Sequence, residues 1–355
     1  MALADLTASV SRLALVGLAK NTGKTETLSA LLAELDARGT PVGVTSIGRD
    51  GEERDVIDSR IEKPRVLLSA GSLVATTDGL LRASGLAHEL LRQTGIRTPL
   101  GRVLLARLRE PGAIEVAGPS AAAEVRAVSD AMLEDGAEQV LIDGAVDRRA
   151  ASSPAVADGL IVATGAVLAA DIADVVSQTV DAVDLVRLEK VEPGALAAAS
   201  AGVPAASVLV AERPELLALP PRFVLSADGE QIGRLLDANP QAHWLLIEGA
   251  LPDSFLGALL GALRGRGREL VVVVQDSTRV FLSGRGPGWY RRQGLRIEVR
   301  EQTELKAITV NPVAPRSHSF DSVQLRALLG GAIADVPIFD VRDPDYRGVR
   351  RDGAG

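Results

Sequence analysis

The chain contains no cysteine, which excludes a disulfide framework and any thiolate-bound metal. Aromatic residues supply 3% of its 355 positions, so its core must be aliphatic and alanine-rich. Its three histidines, His88, His243 and His318, lie far apart in sequence and do not suggest a zinc site. No uncharged stretch approaches the roughly 18 apolar residues of a membrane span. Arg12 and Lys20 bracket the short apolar run near the N-terminus, which therefore lacks the pattern of a signal peptide. A cytoplasmic protein is expected. A net charge of −7 argues against a nucleic-acid or membrane partner. Lysine is scarce as well. Of 39 basic residues, the lysines are Lys20, Lys24, Lys63, Lys190 and Lys306, and the first two share one short stretch. A chain that prefers arginine but keeps lysine there points to a site needing a compact point charge.

That stretch runs from Leu13 to Thr25. An apolar run that reads as a buried strand is followed by a short polar turn, then Gly23-Lys24-Thr25, then a helical pattern from Glu26 through Leu35. Strand, turn and helix in this order form the context of a P-loop, in which backbone N–H groups wrap phosphate oxygens. Lys24 would reach the β- and γ-phosphates, and Thr25 would offer its hydroxyl to Mg²⁺. The loop is a variant: the first glycine of the usual pattern would fall at Leu18, whereas this chain has it one place earlier, at Gly17.

Three further features supply partners. Gln139 to Ile142 reads as a strand ending in Asp143-Gly144, which places a carboxylate where the Walker-B acid holds Mg²⁺. A strand-end Asp can also cap a turn; the loop upstream favours the metal role. Asp50, Glu52 and Asp55 follow the second strand with Arg49 and Arg54, and Asp50 between Gly48 and Gly51 is the candidate for metal or water. A solvated charged loop is the alternative. Asn311-Pro312 ends a late strand, where an Asn can read a base or form a turn. The expected nucleotide contacts are therefore Gly17, Lys20, Asn21, Thr22, Gly23, Lys24, Thr25 and Asn311. Lys24, Asp50 and Asp143 form the catalytic set, and Thr25, Asp143 and Asp50 the metal set. No Asn-Lys-x-Asp sequence argues for guanine, and no hydrolase elbow or zinc-protease signature occurs.

Alternating strands and helices predict an α/β fold with a mostly parallel sheet and helices on both faces. Residues 1–192 are read as the nucleotide-binding domain, 193–342 as a C-terminal α/β domain and 343–355 as a tail expected to fray, with the boundary at Glu192-Pro193-Gly194. Thr77 to Thr94 reads mostly as helix, and Arg102–Arg109 with Ala113–Ala117 as a hairpin. Ser120 is placed to cap a helix running to Gly136, and Phe223–Ser226 reads as a strand. One echo is present: Leu141-Ile142-Asp143-Gly144-Ala145 against Leu246-Ile247-Glu248-Gly249-Ala250.

The loop Gly17 to Thr25 resembles those of the NTPase branch that includes dethiobiotin synthetase and the molybdopterin-guanine dinucleotide biosynthesis adaptor. It is less similar to the partition ATPases, whose second signature lysine would fall at Ala19. A narrower resemblance adds Thr45–Glu52, Thr98–Gly101, Val116–Ser120, Ile142–Ala145 and Asn311-Pro312 with Phe320-Asp321-Ser322. Together these look similar to the reactivase subunit associated with lysine 5,6-aminomutase. That resemblance implies a three-layer P-loop NTPase that uses ATP and Mg²⁺ to reactivate an adenosylcobalamin- and pyridoxal-phosphate-dependent aminomutase, alongside a second reactivase subunit. It carries functional roles at the P-loop and Asp143. An ATP-dependent ligase resembling dethiobiotin synthetase, or a non-hydrolysing nucleotide-binding adaptor, are the alternatives.

Overall fold

The computed structural model describes residues 2–47, 65–144, 149–191, 208–211, 216–219, 222–315, 317–343 and 346. The chain begins with α1 (Leu3–Thr7), β1 (Arg12–Gly17), α2 (Lys24–Ala37), β2 (Val42–Ile47), β3 (Val66–Leu68) and β4 (Leu73–Thr77). It continues through α3 (Asp78–Ala83), β5 (His88–Thr98), β6 (Gly101–Leu108), β7 (Gly112–Ile114), α4 (Ala122–Glu134), β8 (Gln139–Gly144), β9 (Gly159–Gly165) and α5 (Ile172–Val186). Then come β10 (Val208–Ala211), β11 (Leu216–Ala218), α6 (Phe223–Ser226), α7 (Gly229–Ala238), β12 (Ala242–Ile247) and β13 (Leu251–Pro252). The rest is α8 (Asp253–Leu263), β14 (Leu270–Val274), β15 (Val280–Phe281), α9 (Pro287–Arg292), β16 (Leu295–Val299), β17 (Glu304–Asn311), α10 (Ser322–Ala332) and β18 (Ile338–Phe339).

These elements form two compact units, Met1–Thr179 with Thr303–Gly355, and Val180–Gln302. The division differs from a single boundary at Glu192. β17 pairs along β9, so the last part of the chain returns to the first unit.

The first unit is built on a nine-stranded sheet of order β18-β17-β9-β1-β8-β2-β4-β6-β5. Pairing is parallel from β18 through β4 and antiparallel at β6 and β5. The fold is therefore α/β with a mostly parallel, mixed sheet. Strand periodicity sorts the side chains between its faces. Leu13 and Leu15 of β1, Val42 and Val44 of β2 and Leu141 of β8 pack with Leu28, Leu31 and Leu35 of α2. Gly43 points the other way, where an added Cβ would lie 2.8 Å from the sulfur of Met132 in α4. Helices thus cover both faces, and the central strands read as continuous apolar runs because neither face meets water. Each leucine so buried contributes about 2 kcal/mol.

One buried group sets a pH dependence. Glu34 of α2 is 1% exposed; its Oε2 accepts from the Ala4 N–H at 2.8 Å, and its Oε1 accepts from the Tyr346 hydroxyl. Burial pushes its carboxyl above the ordinary value of 4.5, outweighing those bonds. The folded state then holds a proton that the unfolded chain has released, so stability falls as pH climbs from 4.5 through the raised value. Urea midpoints measured across that window should decline more steeply for the wild type than for Glu34→Gln. Parallel slopes would contradict this account.

Four local expectations are corrected. The segment expected as helix from Thr77 to Thr94 stops at Ala83, and Gly85, with φ of +69°, turns the chain into β5. The leucine spacing mimics a helix, but β5 is a half-exposed edge strand paired with β6. Accordingly the hairpin is β5–β6, whereas β7 pairs antiparallel with β3. Phe223–Ser226 is a helical turn, too short a run for periodicity to distinguish from a strand. Helix α4 is preceded by Ala121 at its N-cap rather than by Ser120.

The second unit carries a five-stranded sheet, β11-β10-β12-β14-β16, with β12, β14 and β16 parallel and β10 antiparallel to β12. Leu256, Leu259, Leu260 and Leu263 of α8 pack on Leu245, Ile247, Val272 and Val274. Helix α7 opens with a capping box, in which the Asp228 carboxylate accepts from the Gln231 N–H at 2.8 Å and the Gln231 side-chain oxygen from the Asp228 N–H at 3.2 Å. Of the two members of the sequence echo, Asp143 lies near the end of β8, parallel to both its neighbours, and Glu248 follows β12, which is antiparallel to β10, so the echo is not matched by the pairing of the two strands.

Candidate functional site

The carboxyl ends of four neighbouring parallel strands converge on the turn between β1 and α2. Register places Val16 beside Gly144, Gly17 beside Ala163 and Asn311 beside Gly165. The turn leaves β1 on a hydrogen bond from the Leu18 N–H to the Ala163 carbonyl at 2.9 Å. Asn21 and Gly23 are both left-handed, with φ of +66° and +87°, on either side of the buried Thr22. Such alternation is the backbone form of an anion-binding nest. Gly23 is also the N-cap of the 14-residue α2, so the nest meets unpaired N–H groups at the positive end of a helix.

Two glycines are required by contact. A Cβ at Gly17 would lie 2.6 Å from the Thr22 Oγ1, which itself donates to the Ala19 carbonyl at 3.0 Å. A Cβ at Gly23 would come within 3.1 Å of the Asn311 Cβ, in addition to facing the left-handed backbone. The displaced glycine is thus a close-packing position at the end of β1, where the turn folds back over the strand.

Lys24 is the first residue of α2, and its Nζ donates to the Asp143 Oδ1 at 2.5 Å and to the Gly144 carbonyl at 2.7 Å. The lysine side chain is 20% exposed and the aspartate 32%, so both ions remain reachable from solvent. Thr25 follows in the first helical turn and is half-buried. Its neighbour Thr27 anchors the helix start: its hydroxyl donates to the Gly23 carbonyl at 3.0 Å and meets the Thr309 hydroxyl at 2.7 Å. Asn311 holds the turn from the other side. Its Nδ2 donates to the Asn21 carbonyl at 2.9 Å, and its Oδ1 accepts from the Val313 N–H at 3.1 Å.

The site therefore brings together Gly17, Asn21, Thr22, Gly23, Lys24, Asp143 and Asn311, with Thr25 on the adjacent turn. Lys20 lies on the same turn and is exposed. Asp50 and the charged segment around it lie outside the described residues. Of the two roles open to Asn311, reading a base or forming a turn, its amide serves the turn and the backbone after β17. Three participants had no sequence signal: the Gly144 carbonyl, the Thr27–Thr309 contact and the tight approach of Gly165 to β17.

Chemically, the arrangement offers one cation at a helix start, converging backbone donors, a threonine hydroxyl and a carboxylate. The hydroxyl and carboxylate are hard oxygen donors of the kind Mg²⁺ takes when phosphate and water complete its shell. Among the described residues no group of three or more histidine, aspartate and glutamate side chains could hold a metal by itself. None of their helices is long and apolar enough to cross a membrane. No family model, no curated protein and no solved structure matches the chain.

Proposed function

We propose that the chain is a P-loop NTPase of three-layer α/β/α form that binds ATP with Mg²⁺ and acts as a reactivation factor for an adenosylcobalamin-dependent aminomutase. The nucleotide part rests on one observation: Lys24, at the start of α2 and behind the left-handed Asn21 and Gly23, stands 2.5 Å from the acid near the end of the adjacent strand β8. A lysine, a nest and a strand-end carboxylate at that spacing suit a triphosphate and its metal. The reactivase part rests on the motif resemblance, several of whose segments meet at this edge. Asn311 touches the loop, and the Gly118 N–H donates to the Ser46 hydroxyl at 2.9 Å.

In this reading the turn's N–H groups and Lys24 bind the phosphates. Thr25 and Asp143 would hold Mg²⁺, whose chemistry there would be neutralisation of phosphate charge. Asp50 is a further candidate contributor. Asn311 and Thr27 are positioning residues that keep the turn in shape. The second unit would supply surface for the aminomutase or a second reactivase subunit.

The test uses full-length protein, ATP, Mg²⁺ and a lysine aminomutase inactivated during turnover. Recovery of mutase activity that requires both the protein and hydrolysable ATP is expected. ATP hydrolysis stimulated by a small carboxylic acid but indifferent to the mutase would replace this reading with a ligase. Binding of ATP without turnover in any mixture would replace it with an adaptor.

A further inference from the structure

We propose that Asp143 is an internal counter-anion that locks Lys24 until Mg²⁺ arrives, so that the site discriminates against metal-free nucleotide. This inference rests on the P-loop reading and specifies how that site is controlled. An ammonium has three donors. Two of those of Lys24 are committed to adjacent residues of one strand, the Asp143 carboxylate at 2.5 Å and the Gly144 carbonyl at 2.7 Å.

The acceptors are held in place. Asp143 and Gly144 pair on one side with Leu15 and Val16 of β1 and on the other with Ser46 and Ile47 of β2. An added Cβ at Gly144 would stand 2.6 Å from the Ala151 Cβ and 3.1 Å from the Leu15 carbonyl oxygen, so the strand end has no slack. A phosphate oxygen seeking Lys24 must therefore compete for the ammonium with a carboxylate and a carbonyl carried on a strand that is paired on both sides. The same carboxylate repels a bare triphosphate at short range, where solvent screening is incomplete.

Metal reverses both effects. With Mg²⁺ on the nucleotide, the carboxylate has a divalent counter-ion and the lysine has the phosphates. A carboxylate that serves only as a metal ligand would give one effect on removal, weaker binding with Mg²⁺. A counter-anion gives two effects of opposite sign.

The deciding experiment is equilibrium binding of a fluorescent ATP analogue to the full chain, once in EDTA and once in excess Mg²⁺. It compares the wild type with Asp143→Asn and Asp143→Ser, and circular dichroism checks that both variants fold. In EDTA both variants are expected to bind up to about fivefold more tightly than the wild type, the upper end for a part-exposed ion pair. In Mg²⁺ they are expected to bind at least about tenfold more weakly, so that the advantage conferred by metal collapses. Variants that bind metal-free analogue no better than the wild type, while the wild type binds it with Mg²⁺, would overturn the counter-anion role and leave the P-loop reading standing. A wild type that binds in neither condition would remove both.

Discussion

Lys24→Ala is expected to lower ATP turnover by at least about 100-fold while leaving the folded structure intact. Lys24 opens α2, so its ammonium adds to the positive end of the helix beside the nest formed around Asn21 and Gly23. Charge that develops on transferring phosphoryl oxygens would meet this cation in a partly enclosed site, and preorganised stabilisation of that kind acts chiefly on the rate. Stability depends on it far less. The ion pair with Asp143 is part-exposed, at 20% and 32%, and pairs of this type contribute about 0–1 kcal/mol. Lys24→Arg should fail nearly as completely, because a planar fork does not replace a compact ammonium. Steady-state turnover with Mg²⁺, together with a thermal melt, checks both halves. A variant that retains turnover would dismiss Lys24 as the phosphate ligand, and one that unfolds would show that the pair carries the fold instead.

Gly165→Ala is expected to destabilise the first unit by about 3 kcal/mol, a large effect for one methyl group. Gly165 closes β9 with extended backbone, φ 169°, so conformational strain is not the cause. The cause is contact: an added Cβ would lie 2.2 Å from the carbonyl oxygen of Asn311 and 3.0 Å from its carbonyl carbon. Both atoms are backbone, and neither can rotate away. Relief requires β17 to move off β9, which also drags the Asn311 amide away from the Asn21 carbonyl that it holds. The variant should therefore lose denaturant midpoint and nucleotide affinity together. Gly249→Ala is the matched control, since an added Cβ there meets nothing within 4 Å, and its effect should stay within about 0.5 kcal/mol. Equal behaviour of the two variants would refute the contact argument.

The strand-turn-helix core of the site was legible because its signals are local. An apolar run ahead of Gly17 and a helical pattern from Glu26 follow from composition and glycine placement alone, and the helix opens two residues earlier, at Lys24. Asp143 was legible as a strand-end acid, and the structure places it on the strand next to β1. Close approaches between distant segments were not. Nothing in the residues around Gly165 announces that β17, more than a hundred positions later, packs onto it. The helix expected through Thr94 failed for a related reason: leucines spaced for a helix also serve a bent edge strand, and Gly85 decides between them. The domain boundary was hidden in the same way. A break in composition at Glu192-Pro193-Gly194 is visible in sequence, whereas the return of β17 to the first sheet is a tertiary event. Asn311 illustrates the limit for function. Its position at a strand end was legible, but its commitment to the turn depends on a partner 290 residues away.

The role proposed for the turn between β1 and α2 is to bind a nucleoside triphosphate with Mg²⁺. The most direct measurement is the thermal unfolding midpoint of the wild-type protein titrated with ATP and Mg²⁺. Ligand that binds the folded chain alone must raise its stability, by about 2.7 kcal/mol when free ligand reaches 100 times the dissociation constant. A saturable rise in midpoint that disappears in Lys24→Ala is the predicted result. An unchanged midpoint for the wild type at millimolar ATP and Mg²⁺, with GTP equally without effect, would contradict the assignment of this turn as a nucleotide site.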